Sequence, residues 1–219
     1  PGNERIHILH SSIDTARFDP TRADGAKIRS EFGLEDRFVI GLVGRLSVEK
    51  GHAVLLDVVE QLRTTQPQLA CLFAGEGDQL DALKARVAGS ALLRDAVFFA
   101  GPRRDIPDFV ASFDVQVVPS LWLEASPAVV KEAMAMNVPV IASDVGGVTE
   151  IVTHNRDGLV VPPGDAKTLA DALMKLIADP SLRQTLGNAG RSRIVAEFSD
   201  EQLVERSLTL YRQMLGAAA

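Results

Sequence analysis

The chain has 219 residues, of which 46% are hydrophobic, and this size and composition indicate one domain with a continuous core. It contains no apolar run of about 18 residues and no pattern of an export signal, so we expect neither a membrane span nor secretion, and the cytoplasm is the expected location. The formal net charge of -6 argues against a nucleic-acid partner, because such surfaces normally carry a basic excess.

Six short apolar runs follow one another along the chain, each of the length of a strand. Their residues do not alternate between apolar and polar, which is typical of strands covered on both faces in a parallel sheet. The runs occupy residues 38–43, 69–74, 97–100, 115–118, 138–142 and 159–161.

Segments with helical periodicity separate these runs, the first of them beginning at about Val54. Three more helices are predicted near the end, at about residues 167–178, 181–195 and 200–215. This order predicts an α/β fold: a doubly wound, Rossmann-like, mostly parallel six-stranded sheet with helices on both faces, followed by C-terminal helices.

We expect residues 1–219 to form a single domain. Residues 1–30 would be a linking segment, with an extended strand at residues 5–9 followed by a turn. Residues 36–195 would be the core, and residues 199–215 the last helix. That helix carries an apolar stripe that needs a covering surface, formed by Leu203, Val204, Leu208, Tyr211 and Leu215.

The cysteine and histidine residues do not indicate a redox or metal site. The single cysteine, Cys71, lies inside an apolar run and is predicted to be a core residue. The four histidines are scattered, without the short spacings that zinc sites use.

A candidate anion site follows the first predicted strand. In a doubly wound sheet, ligands bind beyond the carboxyl ends of the strands, and residues 44–51 leave the first strand there. Gly44 and Arg45 begin this loop and Lys50 ends it, just before a helix. Free N–H groups at a helix start favour an anion, and the two cations would bind a diphosphate. The alternative is a solvated Arg and Lys near a turn.

A second candidate site follows the fourth strand and contains two glutamates, Glu124 and Glu132. Ser126 fits the N-cap of the next helix and Pro127 its first position. The N–H groups of Ala128 and Val129 would then point into the cleft as a second anion site. The alternative is a pair of surface glutamates that flank an ordinary helix.

Together these segments resemble the carboxyl-terminal half of the retaining glycosyltransferases with two facing Rossmann-like domains, called group 1 or family 4, whose architecture is termed GT-B. The resemblance covers nearly the whole chain. The motifs that carry it are the segment 13–20, the Arg/Lys loop 44–51, Phe99-Ala100-Gly101, Pro119-Ser120 with the Glu-x7-Glu motif of Glu124 and Glu132, the double glycine of 146–151, and residues 157–165.

The resemblance implies roles for these residues in binding a nucleotide diphosphate sugar. Arg45 and Lys50 would bind the diphosphate and stabilise the leaving group, and Glu124 would face the transferred sugar; these three are the candidate catalytic residues. Glu132 would accept hydrogen bonds from the ribose. The base would lie near Gly101 and Arg103, partly against backbone groups. The remaining donor-binding candidates are Gly44, Ser126, Ala128 and Val129.

The resemblance also implies what is absent. No metal site or other cofactor is expected, since the sequence has no Asp-x-Asp motif. The acceptor, a sugar or lipid-linked molecule, would bind mostly to an amino-terminal domain that this chain lacks, so we expect the chain alone to be inactive. In the full-length enzyme that domain could bring the protein to the inner membrane as a peripheral protein.

Three alternatives stay open from the sequence. The stripe on the last helix could be exposed or could pair with a second copy in a homodimer. The chain could also be a non-catalytic nucleotide-sugar-binding module, or resemble a sugar-nucleotide 2-epimerase domain.

Overall fold

A parallel six-stranded sheet forms the centre of the protein. The computed structural model describes residues 7–122 and 124–216. Every neighbouring pair of strands is parallel, in the order β3-β2-β1-β4-β5-β6, so the predicted Rossmann-like α/β fold is confirmed. The strands are β1 (Phe38–Val43), β2 (Leu69–Ala74), β3 (Val97–Phe99), β4 (Val115–Val118), β5 (Val140–Ser143) and β6 (Leu159–Val161).

Helices connect the strands and extend the chain at its C-terminal end. A short 3-10 turn, Val48–Lys50, precedes the second helix. The helices are α1 (Gly25–Phe32), α2 (His52–Leu62), α3 (Leu80–Gly89), α4 (Ala91–Arg94), α5 (Ile106–Ala111), α6 (Ala128–Ala135), α7 (Val148–Ile151), α8 (Ala166–Ala178), α9 (Pro180–Glu197) and α10 (Asp200–Gly216).

The two faces of the sheet are buried under different helices. Successive side chains of a strand point to opposite faces, and in β1 Ile40 packs with α2 and α8, whereas Val39 packs with α1 and α6. All six residues of β2 are buried, including Cys71, and this burial raises the pKa of its thiol. The prediction that Cys71 is a core residue is therefore confirmed.

The bounds of β3, α2 and β5 differ from the predicted ones by one to two residues, and those of the last three helices differ by at most two. β3 ends at Phe99, and α2 begins at His52, directly after the turn. β5 runs over Val140–Ser143 because Val138 still takes part in the turn that ends α6, where its N–H donates to the carbonyl of Ala133 (3.0 Å). Pro139, which lacks an N–H, then precedes the strand.

The opening segment differs from the predicted strand. Residues 7–9 form no strand, and residues 5 and 6 lie outside the described residues. The segment instead joins the domain at Ile13, whose N–H donates to the carbonyl of Phe198 (2.8 Å). This contact places the opening segment beside the junction of α9 and α10.

The stripe on α10 is exposed to solvent in this chain. Val204, Leu208, Tyr211 and Leu215 all have large exposed fractions, and Leu203 is half-buried. Across residues 7–122 and 124–216, no helix combines the length and apolar content needed to cross a bilayer.

Candidate functional site

The candidate site lies where β1 and β4, two central neighbours in the sheet, end side by side. Loop 44–51 leaves β1 and loop 119–127 leaves β4 at the same edge. The N–H of Leu121 donates to the carbonyl of Glu49 (2.8 Å). Gly51 has a φ of +70°, and a Cβ there would lie 1.9 Å from the carbonyl oxygen of Pro119. Glycine is therefore required for the two loops to approach this closely.

Lys50 and Glu124 meet at this junction. The Lys50 Nζ lies 2.5 Å from the Glu124 Oε1, which also accepts a hydrogen bond from the Ser120 Oγ (2.6 Å). Glu124 is buried, whereas Lys50 is partly exposed. Two residues predicted to touch different parts of one ligand are thus in direct contact with each other.

The double glycine after β5 supports the backbone of Glu124. A Cβ at Gly146 would lie 2.1 Å from the carbonyl oxygen of Glu124, and one at Gly147 would lie 2.1 Å from that of Ala125. The N–H of Gly147 donates to the Glu124 carbonyl (2.7 Å). Loop 119–127 is therefore fixed from the β5 side as well as from the β1 side.

A cavity of about 340 Å³ opens beside this junction, over β1, β2 and the loop after β3. Arg45 is exposed at its edge and makes no side-chain hydrogen bond or ion pair within residues 7–122 and 124–216. The cavity lining includes Gly44, Arg45, Gly75, Glu76, Pro102 and Arg103. Its size and its free cation suit an anionic ligand of small-molecule dimensions.

Arg103 lines the same cavity, but its side chain is already engaged. Its guanidinium donates to both carboxylate oxygens of Glu31 (2.6 and 3.0 Å) and to both of Asp105 (2.9 and 2.6 Å). These bonds raise the pKa of Arg103 and lower the pKa of the two carboxyl groups. The guanidinium therefore has little capacity left for hydrogen bonds to a ligand.

Glu132 lies on α6 and is half-buried. Burial raises the pKa of its carboxyl group, and the positive charges of Arg17 and Lys131 partly oppose that rise. In the described part of the chain its carboxylate accepts no hydrogen bond, so it is available to a hydroxyl-bearing ligand.

The start of α6 differs from the prediction at Ser126 and Pro127. Pro127 has a ψ of 111° and is the N-cap, and no side chain caps the helix. The Ser126 Oγ instead lies 3.1 Å from the Ser11 Oγ and 3.2 Å from the Lys131 Nζ. The prediction that Ser126 is the N-cap and Pro127 the first helical residue is therefore wrong, although Ala128 and Val129 do form the first turn.

Lys131 is a residue that the sequence analysis did not single out. It is completely buried, and its ammonium group donates to the Ser11 carbonyl (2.6 Å) and the Ser11 Oγ (2.7 Å) as well as to Ser126. The sequence did contain an indication of its burial. Lys131 precedes Met134 and Ala135 by three and four residues, and these spacings put all three on the apolar face of one helix.

The structure thus divides the predicted site residues among several places. Lys50 and Glu124 form one pair, and Ser126 joins Lys131. Gly44, Arg45 and Arg103 line the cavity, while Gly101 lies next to it with its carbonyl accepting from the N–H of Gly75 (2.9 Å). Glu132 contacts none of the other predicted site residues through a side-chain hydrogen bond in residues 7–122 and 124–216.

Comparison with known proteins supports one family. The sequence pattern of the family described as "Glycosyl transferases group 1" matches residues 24–193. The chain is 33% identical, over 95% of its length, to the lipopolysaccharide core biosynthesis mannosyltransferase LpsB of Rhizobium meliloti, covering 60% of that protein. It is 31% identical, over 96% of its length, to the alpha-maltose-1-phosphate synthase of Mycolicibacterium smegmatis, covering 57% of that protein.

The solved structures give the same result. HepE of Anabaena in complex with UDP superimposes with a TM-score of 0.88 at 26% identity, covering 94% of this chain and 57% of that chain. The same protein has also been solved with UDP-glucose, with a TM-score of 0.84. The chain spans a little more than half the length of these proteins. With the family pattern matched over most of its residues and the Rossmann-like sheet in common, this chain belongs to the group 1 glycosyltransferases.

Proposed function

We propose that this chain is the donor-binding half of a retaining, metal-independent glycosyltransferase. It binds a nucleotide diphosphate sugar at the carboxyl ends of β1 and β4. The complete enzyme transfers the sugar to a hydroxyl group of an acceptor. The HepE structures with UDP and with UDP-glucose, proteins of the same fold, support a nucleotide-sugar donor.

The contact between Lys50 and Glu124 carries this proposal. A buried carboxylate held by a partly exposed lysine and a serine hydroxyl lies at the topological switch point, where doubly wound sheets bind ligands. A diphosphate is a stronger partner for Lys50 than one carboxylate, because it offers more charge and more acceptors. Donor binding would then move Lys50 to the phosphates and free the Glu124 carboxylate for hydroxyl groups of the sugar.

Arg45 supplies the second cation. Its guanidinium is exposed at the edge of the cavity and can bind phosphate oxygens in a bidentate manner. As the bond between sugar and diphosphate breaks, negative charge develops on the leaving group, and Arg45 and Lys50 stabilise this charge in place of a metal ion. In a front-face transfer the leaving phosphate accepts the proton of the acceptor, so we assign no catalytic base.

The remaining candidates bind the nucleoside. The Glu132 carboxylate lost hydration on burial, and ribose hydroxyls would restore its hydrogen bonds. Because Arg103 is held by Glu31 and Asp105, we assign the base to backbone groups near Gly101 and Arg103 and to the cavity wall, with no hydrogen bond from the guanidinium. The N–H groups of Ala128 and Val129 are available to an anionic or hydroxyl group of the donor.

The acceptor site belongs to a second domain in this proposal. The matched relatives are nearly twice as long as the matched region, which supports a partner domain that would bind a sugar or lipid-linked acceptor. Transfer would then require both domains, and the present chain would bind the donor without completing the reaction.

Calorimetric titration of the purified chain with UDP, GDP and ADP and their glucose conjugates, without added metal, tests the donor site. We expect one nucleotide series to bind. The double variant Arg45→Ala, Lys50→Ala should weaken its binding at least about a hundredfold, since each charge-assisted bond contributes about 1.5 to 3 kcal/mol.

The control is a second double variant, Lys84→Ala, Arg94→Ala, which removes the same charge from exposed positions on α3 and α4. It should bind like the parent chain. Equal weakening in both variants would attribute binding to overall charge and contradict the site. No binding of any nucleotide at millimolar concentration to folded protein would contradict donor binding by this chain, and equal affinity for a bare diphosphate and its sugar conjugate would favour a nucleotide-binding module.

A further inference from the structure

Lys131 is an unusual buried charge. Its side chain is fully inaccessible to solvent, in the middle of α6 between Val130 and Met134, which are also buried. Burial lowers the pKa of its ammonium group. A charge in such a place costs free energy unless hydrogen bonds compensate for its lost hydration.

The hydrogen bonds of Lys131 match its chemistry. An ammonium group has three N–H donors and no acceptor. The three acceptors present are the carbonyl of Ser11 (2.6 Å), the hydroxyl of Ser11 (2.7 Å) and the hydroxyl of Ser126 (3.2 Å). The two hydroxyls also lie 3.1 Å from each other. Within residues 7–122 and 124–216, Lys131 forms no ion pair with a carboxylate.

These bonds join two segments that are distant in the sequence. Ser126 is in loop 119–127, two residues after Glu124, whose carboxylate holds Lys50. Ser11 is in the opening segment, which is fixed elsewhere: the Nδ1 of His10 lies 3.4 Å from Glu150, and the N–H of Ile13 donates to Phe198. Lys131 therefore connects the loop that carries Glu124 to a segment anchored on α7 and on the junction of α9 and α10.

We propose that Lys131 is a positioning residue that fixes loop 119–127, and with it the Glu124 carboxylate, against residues 10–13. The proposal takes the donor site described above as the place that the loop serves. Lys131 does not touch the ligand, because it is inaccessible. It acts through Ser126, so that the orientation of Glu124 toward the donor sugar depends on where the opening segment lies.

The ammonium group, rather than the volume of the side chain, is what this role needs. Methionine has nearly the same length and fills the same space without a donor, and it removes the cost of keeping a charge away from water. Lys131→Met should therefore fold and keep the base, ribose and diphosphate contacts, while loop 119–127 loses its connection to Ser11.

Hydrogen exchange of the chain without ligand tests the positioning role directly. In Lys131→Met we expect the amides of residues 120–122 and 124–126 to exchange at least about tenfold faster, with the exchange of β1 and β2 unchanged. The matched control is Lys84→Met, at an exposed position on α3, which should leave both regions unchanged. Unchanged exchange in the loop, or equal acceleration throughout the sheet, would overturn the proposal.

Calorimetry then tests the link to the donor sugar. The probes are UDP, GDP and ADP with their glucose conjugates, and the quantity compared is the ratio of affinities between a bare diphosphate and its conjugate. Lys131→Met should reduce the preference for the conjugate several-fold while the affinity for the bare diphosphate stays within about twofold. If loop 119–127 exchanged faster in Lys131→Met but the ratio of affinities stayed unchanged, the proposed effect on Glu124 would be overturned. If the parent chain binds no nucleotide, the donor-site proposal fails, whereas the exchange experiment still decides whether Lys131 fixes the loop.

Discussion

The two site loops and the C-terminal helix differ in how completely their side chains are paired or buried within this chain. Loops 44–51 and 119–127 contact each other through backbone atoms, and their charged side chains Lys50 and Glu124 are paired. On α10, by contrast, Leu208 is 47% exposed and Tyr211 61% exposed. The two site loops therefore leave no room for an added atom at Gly51, where they meet, while the apolar stripe of α10 contributes little to the stability of the described domain.

Disrupting the contact between the two site loops is expected to have the largest effect on the free energy of unfolding. Gly51→Ala would place a Cβ 1.9 Å from the Pro119 carbonyl oxygen at a φ of +70°. We expect the free energy of unfolding to fall by more than about 3 kcal/mol, because both the backbone strain and the collision must be relieved by separating the loops. Urea unfolding measures this change. Gly89→Ala, at a helix position where a Cβ meets open space, is the control and should be close to neutral. A loss below about 1 kcal/mol in Gly51→Ala would contradict the described contact.

His52 is a buried residue of the site region whose ring lacks hydrogen bonds to the described residues, and its titration is expected to give the second largest effect on stability. It is buried beside Phe73, and neither ring nitrogen has a hydrogen-bond partner among the described residues. Burial, with a smaller contribution from the charge of Lys50, lowers its pKa to about 4. Between the unfolded value near 6.5 and this folded value, the unfolded chain binds more protons, so stability falls as the pH falls through that window.

We expect the titration of His52 to lower the free energy of unfolding by about 2.5 kcal/mol by the time the pH has fallen to 4.5. Unfolding in urea at several pH values should show it, and His52→Leu should flatten the profile between pH 6.5 and 4.5. The exposed His7 provides the control, since His7→Leu should keep the slope of the parent chain. If the stability of His52→Leu fell with pH in parallel with that of the parent chain, His52 would be excluded as the source of the pH dependence.

Substitutions in the apolar stripe of α10 are expected to have the smallest effect on the free energy of unfolding. Leu208→Ser and Tyr211→Ser should each change the free energy of unfolding by less than about 0.5 kcal/mol, because both side chains are already in contact with water. Thermal unfolding at several protein concentrations measures the effect. The buried Leu173→Ala on α8 is the comparison and should cost about 2 to 5 kcal/mol. A large, concentration-dependent loss in the stripe variants would instead support the homodimer through α10.

The sequence predicted the bounds of an element best where a local run of apolar residues determines a strand. The runs at β1, β2 and β6 contain no polar side chain and the run at β4 contains only Gln116, and the predicted bounds of all four agree with the strands. The start of β5 was predicted two residues too early, because α6 ends in a turn in which Asn137 has a φ of 59° and the N–H of Val138 donates back to the carbonyl of Ala133. Such a turn depends on one residue adopting a positive φ, which the pattern of apolar residues does not record.

The site was only partly predictable for a different reason. The Arg/Lys loop and the two glutamates were found as motifs, and their roles remain proposals. That Lys50 contacts Glu124, that Arg103 is held by Glu31, and that Lys131 binds Ser11 are all contacts between segments far apart in the sequence. Each depends on the tertiary arrangement, and the Ser126 hydroxyl was taken for a helix cap because only its local partners could be considered.

The strand order has a consequence for how the domain reaches its folded state. β1, β2 and β3 follow one another in sequence and in space, as do β4, β5 and β6, whereas β1 and β4 pair across a long stretch of chain. Bringing distant segments together costs more chain entropy than pairing successive units. We therefore expect the two triplets of strands to form before they dock. Since the candidate site lies at the seam between them, it exists only once docking is complete, and a ligand of this site would select fully assembled molecules over half-formed ones.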